Sequence, residues 1–255
     1  MSSSKSHSRR PWWSTLGIYA GLSLAAFIMV IPLLFSFVTA FKSPQDFASH
    51  SPFALPSPPS LASFQAILTG RVNFGDAIIT TLLMVVVMVV GQLVSSVLAA
   101  YAFARIEFPG REVIFWLFLG TMMIPASVLV IPLYLMLAKM GLNNTFWGIV
   151  LPFVFASPYA VFLLRQSFRQ IPQEIIDAAT VDGAGQVRIL FSIVVPVSKP
   201  IISTLVLITV VSQWNSFMWP RIIAATRPRV LTVATAALQS QYNANWTYVM
   251  AATTI

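Results

Sequence analysis

Ile171–Pro200 reads IPQEIIDAATVDGAGQVRILFSIVVPVSKP. It is the one stretch of the chain where acidic, small and basic residues crowd together between long apolar runs. Pro172 suits the first position of a helix, where its missing N–H costs nothing, and Glu174 then falls in the first turn, where the macrodipole favours a carboxylate. At about 100° per residue, Ile175, Ile176 and Ala179 share one helix face while Glu174, Asp177, Ala178 and Val181 share the other. Asp182-Gly183 ends this helix, because glycine accepts the left-handed conformation at a helix C-terminus. A second helix from about Gln186 runs toward Pro196 and Pro200, which break it. The expected element is a short helix-turn-helix lying along a membrane face. Local physics alone leaves two readings open, a solvated loop with ordinary caps and a docking surface for a partner.

Outward from this stretch the chain is apolar. Of 255 residues 57% are hydrophobic and 9% charged, with mean hydropathy +0.82, against roughly 45–50% apolar and ~25% charged in soluble domains. This is a polytopic membrane protein, all-α, with the lipid bilayer as its first partner. The net charge of +8 comes from few residues spread over several loops, which reads as the bias of membrane loops and not as a nucleic-acid surface. Cys 0 excludes disulfides, thiolate metal sites and a cysteine nucleophile.

A leader, MSSSKSHSRRPWW, precedes an apolar run from Leu16 to Phe41 that is longer than the apolar core of a signal peptide and reads as an uncleaved span. Trp12 and Trp13 fall at its interfacial edge. Spans need ~20 apolar residues, and four more runs supply them: Ala77 to Ala104, Val113 to Ala138, Phe146 to Leu164, and Ile201 to Pro220. A sixth starts at Trp246 and is incomplete at Ile255, read here as truncation in preference to an interfacial end. The expected organisation is a leader (1–14), a first span (15–41), an external loop (42–75) with a short helix near Leu61 to Leu68, and a core (76–255). Lys5, Arg9, Arg10, Arg105, Arg111, Arg165, Arg169, Arg188 and Lys199 fall on one side of the membrane. Lys42, Arg71, Lys139, Arg221, Arg227 and Arg229 fall on the other. The bias predicts a cytoplasmic N-terminus and places the segment 165–199 in the cytoplasm. The external loops are too small to be a receptor domain.

No G-x-x-x-x-G-K-[ST] phosphate loop and no H-E-x-x-H motif occurs in the chain, and the two histidines, His7 and His50, fall in the leader and the external loop. No catalytic residue, metal site or bound cofactor is expected. Asp76, Glu107 and Glu112 sit at span edges, and the span interiors hold no Asp, Glu, Lys or Arg. Ion-coupled secondary carriers commonly keep such groups within their spans. A carrier of that kind is the alternative of a different class, and the missing charges favour an energy source outside this chain.

Asp177-Ala178-Ala179, Asp182-Gly183-Ala184 and Pro196 together resemble the EAA loop of the permease subunits of bacterial ABC importers, whose pattern is EAA, two residues, DGA and a later Leu-Pro. YAFARIEFPGR (101–111), MIP (123–125), the run IPLYLMLAKMGLNNTFWGIVLP ending at Pro152, and QWNSFMWP (213–220) are similar to the MalG-type branch, which imports carbohydrates and related solutes. Asp177 stands for the usual Glu, and Val195 for the Leu before Pro196. The resemblance implies a type I importer permease fold in a bacterial inner membrane and a second, homologous permease subunit. It also implies two ABC ATPase subunits holding ATP and Mg, and an extracytoplasmic solute-binding protein. In such a machine the loop is a coupling helix seated in an ATPase groove. Ala178, Ala179, Gly183 and Ala184 permit close approach, and Glu174, Asp177 and Asp182 can pair with basic residues across the groove. The implied solute is a carbohydrate, with glycerol 3-phosphate or a glycerophosphodiester as the alternative.

For the solute path the best candidates are Gln213, Trp214 and Asn215, two amides beside an indole that suit sugar hydroxyls and a sugar's apolar face, followed by Tyr134 and Tyr159. The competing reading is that Trp214 packs between helices while Asn215 bonds neighbouring backbone. Pro125, Pro132, Pro152 and Pro158 interrupt the third and fourth spans and predict kinks there, mobile or static.

Overall fold

A computed structural model describes residues 12–70, 74–241 and 246–255. The leader residues Lys5, His7, Arg9 and Arg10, and the loop cation Arg71, lie outside the described residues. Every regular element among the described residues is helical. In chain order they are α1 (Trp12–Ala40), α2 (Pro44–Ser49), α3 (Ala62–Thr69), α4 (Phe74–Arg105), α5 (Arg111–Gly120) and α6 (Ala126–Lys139). Then come α7 (Phe146–Val150), α8 (Pro158–Arg169), α9 (Gln173–Val181) and α10 (Gln186–Ile189). A π-helical segment, Leu190–Val194, leads to α11 (Val195–Val197), α12 (Lys199–Trp214), α13 (Met218–Ile223), α14 (Leu231–Gln241) and α15 (Trp246–Thr253).

Two compact units divide the chain, one made by the residues before Phe74 with those after Ala234, the other by Phe74–Ala234. In the first unit α1 packs against α15, and α15 against α3. Its connecting loop is built around Lys42, which is fully buried and whose Nζ donates to the carbonyls of Ser51 and Pro52 at 3.2 and 3.0 Å. The Lys42 carbonyl in turn accepts from Ser63 Oγ. A buried ammonium with only carbonyl partners ties the loop down without any carboxylate.

In the second unit α4 is the central post, with α8 and α12 packed along it. Two helices, α1 and α4, are long and apolar enough to cross a membrane unaided, and three bent helix pairs qualify by length and composition if each is counted as one span, which gives up to five. In the third and fourth runs the bends fall where the prolines predict kinks. The third run breaks between Met123 and Ala126 with a 98° bend. Pro125 forbids helical geometry at Ile124, which is extended at ψ 117°. The fourth bends by 40° between Phe153 and Pro158, and Ser157 before Pro158 is likewise extended. The fifth helix ends at Trp214, short of the expected Pro220, and bends by 80° from the α10–α11 stretch. Pro132 lies inside α6 and starts no element.

A break at membrane depth frees backbone groups that lipid cannot satisfy. α4 supplies the missing partners for the fourth span. Gln92 Nε2 donates to the Phe153 carbonyl at 2.7 Å, and Ser96 Oγ accepts from Ser157 N–H at 3.2 Å. Gly91 lets the Val154 backbone lie against the helix, since a Cβ there would meet Val154 O at 2.6 Å. The polar residues Gln92, Ser96 and Ser157 therefore serve helix–helix hydrogen bonding.

Two apolar clusters fill this unit. One gathers Met84, Met88, Leu137, Ile149, Trp219 and Ile223, with the Trp219 indole donating to the carbonyls of Gly148 and Ile149. The other gathers Tyr101, Phe115, Leu164, Phe168, Ile171 and Ile176, and it carries α9.

Candidate functional site

α9 and its flanks form the surface to which the sequence points. Pro172 is extended, at φ −53° and ψ 137°, and caps the helix from outside. The helix therefore begins one residue later than expected, at Gln173, because a proline followed by a helical residue serves as well at the cap as in the first turn. Glu174 does occupy the first turn. Burial corrects the expected apolar face: Ile176 is buried and Ala179 half-buried, but Ile175 is 46% exposed. The helix rests on a narrow stripe and leaves Ile175 and Val181, the latter 87% exposed, open alongside Glu174, Asp177 and Ala178.

The C-terminal end follows from Gly183, whose φ of +79° an L side chain resists. Gly183 N–H bonds to the Thr180 carbonyl at 3.0 Å and Ala184 N–H to the Ala179 carbonyl at 2.9 Å. These are the two bonds of a Schellman motif, with the small residues Ala179 and Ala184 both packed against the core cluster. Asp182 stands exposed at the cap. The side chains of Glu174 and Asp182 make no hydrogen bond or ion pair with any described residue. The structure thus brings Glu174, Asp177, Ala178, Ala179, Asp182, Gly183 and Ala184 together as one helix and its cap.

Beneath this surface lies a polar frame that sequence reasoning treated only as charges marking topology. Arg165, in α8, is 2% exposed. Its Nη2 pairs with the Glu112 carboxylate, its Nε donates to the Phe103 carbonyl at 3.1 Å, and its guanidinium lies 3.9 Å from the Phe115 ring centroid. Glu112 sits in the first turn of α5, after the left-handed Gly110. Arg105, in the last turn of α4, donates through Nη2 to the carbonyls of Phe168 and Ile171, both at 2.5 Å. Through Nη1 it donates to Gln173 Oε1 at 2.6 Å. Gln173 Nε2 donates onward to Asp177 Oδ1 at 2.9 Å. Tyr101 O–H donates to Gln186 Oε1 at 2.6 Å, fastening the start of α10 to α4. The signal for this frame was the run YAFARIEFPGR, but the partners of its arginines are largely backbone carbonyls, which no residue pattern announces.

The solute-path candidates have different surroundings. Trp214 and Tyr134 are half-buried against the Trp219 cluster. Asn215 Nδ2 bonds back to the Val211 carbonyl at 2.8 Å, which is the helix-end role weighed against it from sequence. Gln213 is half-buried, and Tyr159, in α8, is 42% exposed. A separate apolar cleft of about 870 Å³ lies between α6, the Leu151–Phe153 turn and α13, lined by Leu129, Leu133, Met136, Phe153, Phe217 and Trp219.

Known proteins share this chain and fold. The family model described as binding-protein-dependent transport system inner membrane component matches residues 92–255. The diacetylchitobiose uptake system permease protein NgcG of Streptomyces coelicolor is 31% identical over 87% of this chain and 74% of its own length. The sn-glycerol-3-phosphate transport system permease protein UgpE of Yersinia pestis is 31% identical over 91% of this chain and 85% of its own. The arabinooligosaccharides transport system permease protein AraQ of Halalkalibacterium halodurans is 30% identical over 91% and 84%. Among solved structures, a chain of a bacterial ABC transporter that imports the acidic polysaccharide alginate superposes with a TM-score of 0.80 at 23% identity, covering 96% of this chain and 92% of that one. The fold is the same. By the reach of the family match and the near-full-length relatives, this chain belongs to the binding-protein-dependent transport system inner membrane components, the permease subunits of ABC importers.

Proposed function

We propose that this permease carries a carbohydrate across the inner membrane by alternating access, driven by ATP hydrolysis on two ABC ATPase subunits that hold ATP and Mg. A second permease subunit completes the path, and an extracytoplasmic solute-binding protein delivers the cargo. The N-terminus is cytoplasmic, the loop 42–75 is external, and the segment 165–199 faces the ATPase. The observation that carries this reading is α9 itself: a helix anchored on one narrow stripe, ended by a Schellman turn, and presenting exposed Ile175 and Val181 among three acids. Such a helix seats in a groove whose floor is apolar and whose rim is basic. Glu174, Asp177 and Asp182 pair with that rim and exposed Ala178 and Gly183 set the approach distance, while Ala179 and Ala184, packed on the core, set how closely the helix lies on its own chain.

The carbohydrate reading rests on NgcG and AraQ. UgpE favours a second reading in which the same machine imports glycerol 3-phosphate. Gln213, Trp214, Asn215, Tyr134 and Tyr159 are proposed for the solute path, with Asn215 the least available because its amide is bound to its own helix backbone. The test is uptake by the four-subunit complex reconstituted with its binding protein. ATP-dependent uptake of an oligosaccharide supports the first reading, and uptake of glycerol 3-phosphate alone replaces it with the second.

A further inference from the structure

The covalent joints of α9 are short turns. It leaves α8 through the extended Pro172 and reaches α10 through Gly183, at φ +79°, and the extended Gly185. Ile171 and Ile176 bury apolar surface beneath it. Such burial resists lifting α9 away and, because a roll would expose Ile176, rotation too, but being non-directional it does not tie the helix to any one neighbour. Directed hydrogen bonds supply that tie. Among the described residues, the side-chain hydrogen bonds from α9 and α10 to α4 are Arg105–Gln173 and Tyr101–Gln186. Both originate in the last turns of α4, one full turn apart, and they hold the entry to α9 and the start of α10 respectively. α4 is also the post against which α8 and α12 pack.

We infer that Arg105 and Gln173, assisted by Tyr101 and Gln186, are positioning residues that transmit the displacement of α9 to α4, so that movement of the coupling helix swings the central post of the permease. Gln173 is the joint, since its carbonyl oxygen accepts from Arg105 while its amide donates to Asp177 and orients that acid on the docking face. This rests on the reading of α9 as the ATPase-docking helix. Removing the joint leaves α9 docked and the ATPase turning over, while Arg105 keeps only the Phe168 and Ile171 carbonyls ahead of the helix, so that α9 itself slips against α4.

The test uses the complete complex in vesicles, with ATPase co-purification, ATP hydrolysis and solute uptake measured on the same preparations. Leu matches Gln in helix propensity, so Gln173→Leu preserves α9. It is expected to retain bound ATPase and hydrolysis while solute moved per ATP falls about tenfold, the scale set by losing a hydrogen bond to a charged group. Gln173→Glu keeps the acceptor for Arg105 while replacing the bond to Asp177 with like-charge repulsion, so recovery relative to Gln173→Leu reports the Arg105 bond, and solute moved per ATP is expected to return to within about threefold of the original. Unchanged uptake per ATP in Gln173→Leu, or equal impairment in both variants, overturns the inference. A separate variant carrying Ala178→Trp and Gly183→Trp checks the docking reading. If ATPase subunits co-purify with it undiminished, docking at α9 is wrong and the inference falls with it.

Discussion

Gly183 and Gly91 are both constrained, for opposite reasons. At Gly183 nothing lies within 4 Å of where a Cβ would point, but φ is +79°, so the backbone and not the space selects glycine. Replacement by Ala is expected to cost about 1 kcal/mol, and by Asn less, since Asn visits the left-handed region more readily. Thermal unfolding of the purified complex should rank the variants in that order. A bulky residue there should also uncouple transport from ATP hydrolysis by obstructing the docking face. Gly91 has ordinary helical backbone but no room, because an added Cβ would lie 2.6 Å from Val154 O. Gly91→Val is expected to abolish the folded yield, measured by size-exclusion chromatography of the solubilised protein. The buried Arg165 differs again: Arg165→Met removes the bond to the Phe103 carbonyl and leaves Glu112 with only its longer contact to Arg111 at 3.6 Å. With Glu112 about half exposed, the expected loss is about 2 kcal/mol, below that for a fully buried pair.

At the scale of the element, the spans are continuous in sequence and broken in space. Pro125 and Pro158 were legible as interruptions, because a residue before proline is pushed out of helical geometry. The size of each bend was not, since it depends on what receives the freed backbone groups. For the fourth span the receivers are Gln92 and Ser96, on a helix far away in sequence. Gln92→Leu is expected to lower stability by about 1 kcal/mol through the orphaned Phe153 carbonyl. A fall in melting temperature with unchanged uptake kinetics would match this structural role. Altered uptake with unchanged melting would instead place Gln92 in the solute path. α9 shows the same division. Its cap and its acids could be read from DGA and from Glu174, but periodicity allowed two inward isoleucines, whereas the stripe of core available to α9 accommodates Ile176 and leaves Ile175 outside.

At the scale of the molecule, α1 is a 29-residue helix with none of its most apolar window buried, a surface suited to lipid or to another membrane subunit. Such surfaces, with no ionisable residue in the expected span interiors, favour an engine outside the chain. Uptake by the reconstituted complex is expected to stop on trapping the ATPase with vanadate and to persist when a protonophore collapses the proton gradient. The opposite pattern would identify an ion-coupled carrier.

What the residues determined by themselves was the class: apolar runs of spanning length, and the DAA and DGA pairs that mark α9 and its cap. These are local properties, set by composition and by the conformational limits of glycine and proline. Only the tertiary structure decided how the arginines are used. Arg105 and Arg165 take backbone carbonyls, a ring face and one half-exposed carboxylate as partners. Carbonyl partners are present at every position of every sequence, so proximity in the fold alone singles out the ones that bind.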